Sequence, residues 1–152
     1  MAADTVVAID GDILGKPRDT AHSAGMLYRL RGRMHQVFTG IAIRKDSLLV
    51  TDLCTTNVPM RSYTDEEVTT YIATGDPLDK AGAYAIQHPE FHPVENLGGC
   101  YASVMGLPLC HLLRSLCQVG VFPPADVPAG CQAYLQYKCS ISTAVLQGET
   151  VG

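Results

Sequence analysis

Carboxylates and a lysine near the N-terminus are the first residues whose chemistry could matter. Asp4 lies at the edge of an apolar run, and Lys16 follows in the segment Gly15-Lys16-Pro17. Hard divalent cations prefer carboxylate oxygens, and a lysine supplies a point charge for a phosphate group. Turn aspartates and a solvated lysine would give the same pattern. The residues therefore indicate either a site for a cation and a phosphate or an ordinary loop.

A second polar cluster extends from Asp76 to Gln87. Its small residues at 81–83 would let a ligand approach the backbone closely. Lys80 precedes them, and the amide of Gln87 offers a donor and an acceptor that could recognise the edge of a base. A tight turn that enters a strand explains the same residues without a ligand. Both interpretations stay open on these residues alone.

Histidines and cysteines are the other candidates for metal or redox chemistry. His88 and His92 have the spacing of a metal pair on a helix, but a proline follows each of them, so a surface loop is predicted. The six cysteines include no CxxC pair, and buried free thiols are predicted. Cys131 and Cys139 could alternatively form a disulfide or bind a metal. No GxSxG, P-loop, GxGxxG or HExxH motif occurs, which argues against the usual hydrolase, kinase-like and dinucleotide-binding sites.

The composition excludes several classes of protein. The chain has 152 residues, with 11 Lys+Arg against 15 Asp+Glu and a net charge of −4. This acidic balance argues against nucleic acid as a partner, and the 17% of charged residues indicates one domain with a real core rather than disorder. No apolar run approaches the roughly 18 residues that cross a membrane, and the N-terminus lacks a signal-peptide pattern. The sequence therefore predicts a cytoplasmic protein with no membrane partner.

Strand and helix signals alternate along the chain and must position these residues. The predicted strands cover residues 5–9, 36–44, 48–58 and 83–87, and the predicted helices follow Asp19 or Thr20, Thr64 and Pro108. A loop is predicted from Ile13 to Pro17. The Pro/Gly-rich segment 122–130 is predicted to be a connector without regular structure. The fold class is therefore α/β or α+β, with a mixed sheet and flanking helices.

Six short segments resemble the Maf family of nucleoside triphosphate pyrophosphatases, also called septum-formation inhibitor-like proteins. The segments are Ala3-Asp4-Thr5-Val6-Val7, Gly15-Lys16-Pro17, Thr39-Gly40, Tyr71-Ile72-Ala73-Thr74-Gly75, Pro77-Leu78-Asp79-Lys80-Ala81-Gly82-Ala83-Tyr84 with Ile86-Gln87, and Val104-Met105-Gly106-Leu107-Pro108-Leu109. They occur in the family's order and spacing over about residues 2–120. The resemblance implies an α/β fold like that of inosine triphosphate pyrophosphatases, with nucleotide bound in a cleft between two lobes. It also predicts a family domain at 1–120, followed by a connector and cysteine-containing tail at 121–152.

The resemblance implies hydrolysis of a nucleoside triphosphate to the monophosphate and pyrophosphate. Asp4 matches the family's proton acceptor, a role that needs a carboxylate beside a divalent cation, Mg²⁺ or Mn²⁺, which Asp4 would also bind. Lys16 and Lys80 match lysines that neutralise the triphosphate. Thr5 and Gln87 match positions linked to the choice of base in the branch similar to dTTP/UTP pyrophosphatases. A pyrimidine nucleotide is therefore the expected substrate.

The chain also departs from the family pattern. Family members begin with a strand and a Ser-x-Arg-Arg loop that binds phosphate, and neither occurs here. The departure predicts weaker triphosphate binding, and an exposed sheet edge that favours a homodimer. A start codon inside a longer reading frame is our leading interpretation. The alternative function is that of a catalytically impaired fragment that binds nucleotides or regulates cell division.

Overall fold

The computed structural model describes all 152 residues, arranged as four strands and six α-helices. The strands are β1 (Ala2–Ile9), β2 (Asp12–Leu14), β3 (Met34–Lys45) and β4 (Leu48–Pro59). The helices are α1 (Thr20–Leu30), α2 (Asp65–Ala73), α3 (Tyr101–Val104), α4 (Leu109–Gln118), α5 (Val127–Leu135) and α6 (Ser142–Leu146), with short 3₁₀ helices at Asp76–Asp79 and Ala81–Ala83. None of these helices combines the length and the apolar character of a membrane-spanning segment.

The four strands form one antiparallel sheet in the order β2-β1-β3-β4. Asp10 and Gly11 adopt positive φ angles of 55° and 82°, which form the tight turn that pairs Val7 with Leu14. Asp46, with φ 53°, lies in the turn between β3 and β4. The predicted class and flanking helices are confirmed. The neighbouring strands are antiparallel rather than mixed. Tight turns connect β1 to β2 and β3 to β4, and the segment that contains α1 connects β2 to β3 on the other side of β1.

The chain divides into two compact units. Unit 1 comprises Met1–Thr5, Phe38–Thr56 and Gly98–Gly152, and unit 2 comprises Val6–Val37 and Asn57–Leu97. Strands β1, β3 and β4 each contribute residues to both units. The N-terminal candidates Asp4 and Thr5 are in unit 1, whereas Lys16, Lys80 and Gln87 are in unit 2.

Unit 2 is built on α1 and α2. Asp19 caps α1 by accepting a hydrogen bond from the His22 N–H at 2.7 Å, which confirms the predicted start of this helix. Leu27 and Leu30 on α1 are fully buried. The Tyr63 hydroxyl donates to the Leu27 carbonyl at 2.6 Å, so the segment before α2 is fixed against α1.

Unit 1 has its core along β3, β4 and α4. Ile41 and Ile43 of β3 pack with Val119, which lies directly after α4. Arg114 on α4 forms an ion pair with Asp52 on β4 at 2.7 Å, and both side chains are mostly shielded from water. The same guanidinium donates to the carbonyl of Val145, so the segment after α4 packs into this unit.

Ile13 and Leu14 belong to strand β2, so the predicted loop from Ile13 to Pro17 was wrong for its first two residues. A proline restricts only the residue before it, here Lys16. The Asp10-Gly11 turn pairs the three residues of β2 with the end of β1, and this pairing extends the hairpin through Leu14.

Residues 83–87 do not form the predicted strand. Gly82 and Ala83 have φ angles of 72° and 60°, which interrupt an extended backbone, and the His88 N–H bonds to the Ala85 carbonyl in a turn. The apolar run that suggested a strand is instead a buried loop. Its Ala85 N–H is satisfied by the Tyr71 hydroxyl at 2.9 Å rather than by a neighbouring strand.

Part of the predicted connector is helical, because Val127–Gly130 form the first turn of α5. Asp126 caps this helix by accepting from the Ala129 N–H at 3.0 Å, and Pro128 lies in the first turn, where a missing N–H costs no helical bond. Residues 122–126 have no regular structure, as predicted.

The six cysteines are free thiols, and the prediction that they are buried is confirmed for Cys54, Cys100 and Cys110 and wrong for the other three, which are partly exposed. Cys54 and Cys100 pack together with Ala102, and Cys131 contacts this cluster. His88 and His92 lie in the predicted loop between α2 and α3.

Candidate functional site

Asp4 is an exposed carboxylate near the start of β1. Its Oδ1 accepts a hydrogen bond from the Thr5 N–H at 2.9 Å, and it takes part in no ion pair. Successive side chains of a strand point to opposite faces, so Thr5 lies on the face of buried Val7 and Ile9, and Asp4 lies on the other face. The carboxylate of Asp4 is therefore open to water or a ligand.

A short hydrogen-bonded chain within unit 1 fixes the hydroxyl of Thr5. The Thr39 hydroxyl donates to the Ser103 carbonyl at 2.8 Å, and this uses its single hydrogen. The Thr5 Oγ1 lies 2.9 Å from the Thr39 Oγ1, so Thr5 must be the donor in that pair. The Thr5 oxygen can then offer only lone pairs to a ligand.

Gly106 leaves the Thr5 hydroxyl uncovered. Its φ is 106°, and a Cβ at this position would lie 3.4 Å from Thr5 Oγ1. The sequence assigned no role to Thr39 or Gly106, although both belong to segments that carry the family resemblance. Thr5 and Thr39 are 34 residues apart, so no local sequence pattern predicts the hydrogen bond between them.

The loops that carry Lys16 and Lys80 meet within unit 2. The Gly82 N–H donates to the Gly15 carbonyl at 3.1 Å. Gly82 has a φ of 72°, and a Cβ there would approach Val7 Cγ1 at 3.0 Å, so any other residue would be strained at this position. Lys16 is exposed and forms no ion pair. Two lysines are thus placed on adjoining loops, which suits an anionic ligand.

Two aspartates hold the ammonium group of Lys80. Lys80 Nζ lies 2.9 Å from Asp76 Oδ1, 3.0 Å from the Asp76 carbonyl and 2.7 Å from Asp79 Oδ1. Burial disfavours the charge of Lys80, but the bonds to Asp79 and Asp76 outweigh it and raise the pKa of the lysine. The hydrogen bond from Lys80 lowers the pKa of Asp79. Lys80 is therefore charged and held in place.

Tyr71 links Asp76 to the loop that carries Gln87. Its hydroxyl donates to Asp76 Oδ2 at 2.6 Å and accepts from the Ala85 N–H at 2.9 Å. Its ring stacks on Phe91 with centroids 4.2 Å apart. Burial opposes the ionisation of Asp76, but the bonds from Tyr71 and Lys80 outweigh it and lower the pKa of this carboxyl. Gln87 itself is exposed in a turn.

The other N-terminal aspartates are held by arginines. Asp12 binds Arg29 at 2.7 Å, and Asp10 binds Arg33 at 2.7 Å. The basic residues near the end of α1 therefore pair with carboxylates. Of the three aspartates Asp4, Asp10 and Asp12, Asp4 is therefore the one without an ion-pair partner.

The protein could supply one carboxylate ligand, that of Asp4, to a divalent cation. The structure contains no group of three or more His, Cys, Asp or Glu side chains that could hold a metal ion. Mg²⁺ is commonly held by one or two carboxylates together with substrate phosphates and water. The open carboxylate of Asp4 fits a cation of that kind, whose other ligands come from the nucleotide and the solvent.

Comparison with known proteins gives one family and many relatives. A family model described as Maf-like protein matches residues 1–119. The dTTP/UTP pyrophosphatase of Thermomicrobium roseum is 42% identical to this chain, over 99% of the chain and 68% of the relative. Those of Citrifermentans bemidjiense and Chlorobium phaeovibrioides are 46% and 47% identical, over 79% and 76% of this chain and 63% and 61% of the relatives. The chain thus spans about two thirds of the length of these relatives.

Proposed function

Since the chain belongs to the Maf-like protein family, we propose that it hydrolyses nucleoside triphosphates to the monophosphate and pyrophosphate, with dTTP and UTP as substrates. The observation that carries this proposal is the similarity of most of the chain to proteins named dTTP/UTP pyrophosphatase. The open carboxylate of Asp4 and the adjoining lysine loops are the chemical groups that such a reaction needs.

Asp4 is the proposed general base. Its carboxylate would take a proton from the attacking water as the bond between the α-phosphorus and the bridging oxygen breaks and pyrophosphate leaves. Asp4 would also contact a divalent cation, Mg²⁺ or Mn²⁺, which supplies charge stabilisation for the phosphates and lowers the pKa of bound water. The absence of an ion pair at Asp4 supports this role, because a carboxylate bound to an arginine would be a weaker base.

Lys16 and Lys80 are proposed to bind the triphosphate. Phosphate transfer is helped mainly by fixed positive charge near the oxygens on which negative charge accumulates. The bond between Gly82 and Gly15, which joins the two lysine loops, supports a shared task.

Thr5 and Gln87 are proposed to recognise the base. Uracil and thymine present a ring N–H between two carbonyl oxygens. The Thr5 oxygen, restricted to accepting, suits that N–H. The amide of Gln87 offers both a donor and an acceptor, which is the chemistry that recognition of a base needs. Cytosine lacks the ring N–H and fits an acceptor at this position less well.

The test is release of pyrophosphate and monophosphate from dTTP, UTP and CTP by the 152-residue chain with Mn²⁺ or Mg²⁺. We expect Asp4→Asn to lower the rate by about 10²–10⁴-fold, because the general base is lost. Asp46→Asn is the control, since Asp46 lies in an exposed turn and asparagine tolerates its positive φ. Unchanged activity in the Asp4 variant would remove Asp4 from the mechanism.

Binding is measured together with turnover. A chain that binds UTP but releases no pyrophosphate would favour the alternative of a nucleotide-binding regulator. The proposal also includes a location in the cytoplasm, where nucleotides are found, and a homodimer.

A further inference from the structure

The ammonium group of Lys80 has no free hydrogen-bond donor. A lysine ammonium carries three N–H groups. In this structure the three are directed to Asp76 Oδ1, the Asp76 carbonyl and Asp79 Oδ1, at 2.9, 3.0 and 2.7 Å. A phosphate oxygen can bind this nitrogen only if one of these bonds is exchanged.

The two bonds to Asp76 are the fixed ones. The Asp76 carboxyl is about one-third exposed, and its second oxygen accepts the Tyr71 hydroxyl at 2.6 Å. Tyr71 is buried, stacks on Phe91 and also binds the Ala85 N–H. Moving Asp76 would therefore disturb several partners.

The bond to Asp79 is the exchangeable one. The Asp79 side chain is 78% exposed, and Lys80 is its only ion-pair partner. An exposed ion pair contributes little, because water solvates both charges well and salt screens them. A polyphosphate carries more negative charge than one carboxylate and can replace it at Lys80 Nζ.

We infer that Asp79 is a displaceable partner of Lys80, which holds the ammonium group in position and is exchanged for a phosphate oxygen when triphosphate binds. The inference rests on the proposed function, in which Lys80 binds the triphosphate, and adds a residue with a competing role. Asp79 is a positioning residue, because it acts through Lys80. It sets how tightly the phosphates bind.

The inference is tested by calorimetric binding of inorganic tripolyphosphate to the full chain in metal-free buffer. Asp79→Asn should bind tripolyphosphate about twofold to fivefold more tightly, the range that corresponds to loss of an exposed ion pair. Asp65→Asn is the matched control, because Asp65 is 77% exposed and pairs with Arg31 at 2.6 Å. It removes the same charge and should leave the affinity nearly unchanged.

Lys80→Met and the double variant D79N/K80M show whether the gain passes through Lys80. We expect the two to bind tripolyphosphate equally, so that the Asp79 substitution has no effect once the ammonium group is gone. A gain that persists in the double variant, an equal gain in Asp65→Asn, no gain in Asp79→Asn, or no binding by any of these proteins would each overturn the inference. Thermal unfolding of each variant verifies that the fold is kept.

Turnover of UTP separates this inference from the proposed function. If the chain hydrolyses UTP, Asp79→Asn should lower KM and leave kcat unchanged, because the phosphates gain binding in the ground state and the transition state alike. Hydrolysis with no change in KM or in tripolyphosphate affinity would leave the function in place and reject the role of Asp79. Tighter tripolyphosphate binding without any hydrolysis would support the role of Asp79 and reject the function.

Discussion

Single hydrogen atoms decide what the candidate residues can offer a ligand. The Thr39 hydroxyl donates to a carbonyl, which leaves Thr5 Oγ1 as a pure acceptor. The ammonium group of Lys80 donates all three of its N–H groups to Asp76 and Asp79. In both cases the neighbours of a side chain determine its polarity. The residue type alone would allow either a donor or an acceptor at Thr5, and free donors at Lys80.

Replacing Thr39 by valine tests this control of polarity. Thr39 is fully buried, so Thr39→Val removes its hydrogen bond to the Ser103 carbonyl, which keeps the bond from the Gly106 N–H at 2.9 Å. The substitution should lower the free energy of unfolding by about 0.5–1.5 kcal/mol. The Thr5 hydroxyl then regains the freedom to donate, and the preference for UTP over CTP should fall. Urea unfolding and nucleotide binding measure the two effects. Thr39→Ser keeps the hydroxyl and should behave as the unchanged protein, and a serine variant as impaired as the valine one would contradict the argument.

At the scale of elements, helix α2 is held at its start by a charged capping box. Thr64 accepts from the Glu67 N–H at 3.2 Å, and Glu67 Oε2 accepts from the Thr64 N–H at 2.6 Å. Glu67 also binds Arg61 at 2.7 Å. The hydrogen bond from Arg61, followed by that from Thr64, lowers the pKa of Glu67 from 4.5 to about 2.

This pKa shift predicts the behaviour of α2 in acid. Unfolded Glu67 takes up a proton as the pH falls below 4.5, whereas folded Glu67 stays ionised until about pH 2. Its contribution to stability is therefore full above pH 4.5 and is lost as the pH falls from 4.5 to 2. Glu67→Gln should be less stable at pH 7 and should lose less stability over that acid range. Denaturant unfolding at several pH values measures this effect. Glu66→Gln in the same helical turn is the control. If Glu67→Gln loses as much stability between pH 4.5 and pH 2 as the unchanged protein does, Glu67 is not the source of the acid sensitivity.

The same elements show how far sequence signals reach. The α2 cap and the Asp10-Gly11 turn depend on residues at most three positions apart, so they could be predicted. The pairing of Lys80 with Asp76 has a helical spacing of four and was also within reach. The loop at 83–87 could not be predicted in this way. The buried Tyr71 hydroxyl accepts the hydrogen bond of its Ala85 N–H, and no local sequence pattern indicates this contact. The links from Thr39 to Thr5 and Ser103 span 34 and 64 residues and needed the fold.

For the whole molecule, the sheet ends on one side in the twelve-residue strand β4. Its alternating exposed positions place Leu49 and Leu53 on one face, and they are 62% and 51% exposed. A long outer strand with exposed apolar side chains favours pairing with a second copy. Asp52 lies on the opposite face of β4, where Arg114 holds it within unit 1, so it places no free charge beside the two leucines.

Self-association through β4 is therefore expected, and light scattering after size exclusion measures it. The 152-residue chain should form a homodimer whose fraction rises with concentration, because association removes the apolar surface of Leu49 and Leu53 from water. Leu53→Lys places a charge on the exposed face of β4 and should shift the protein to the monomer. Leu146→Lys on α6 adds the same charge at a side chain that is 41% exposed and should leave the dimer intact. A monomer at all concentrations, or a dimer that survives Leu53→Lys and dissociates with Leu146→Lys, would show that β4 is not the surface used.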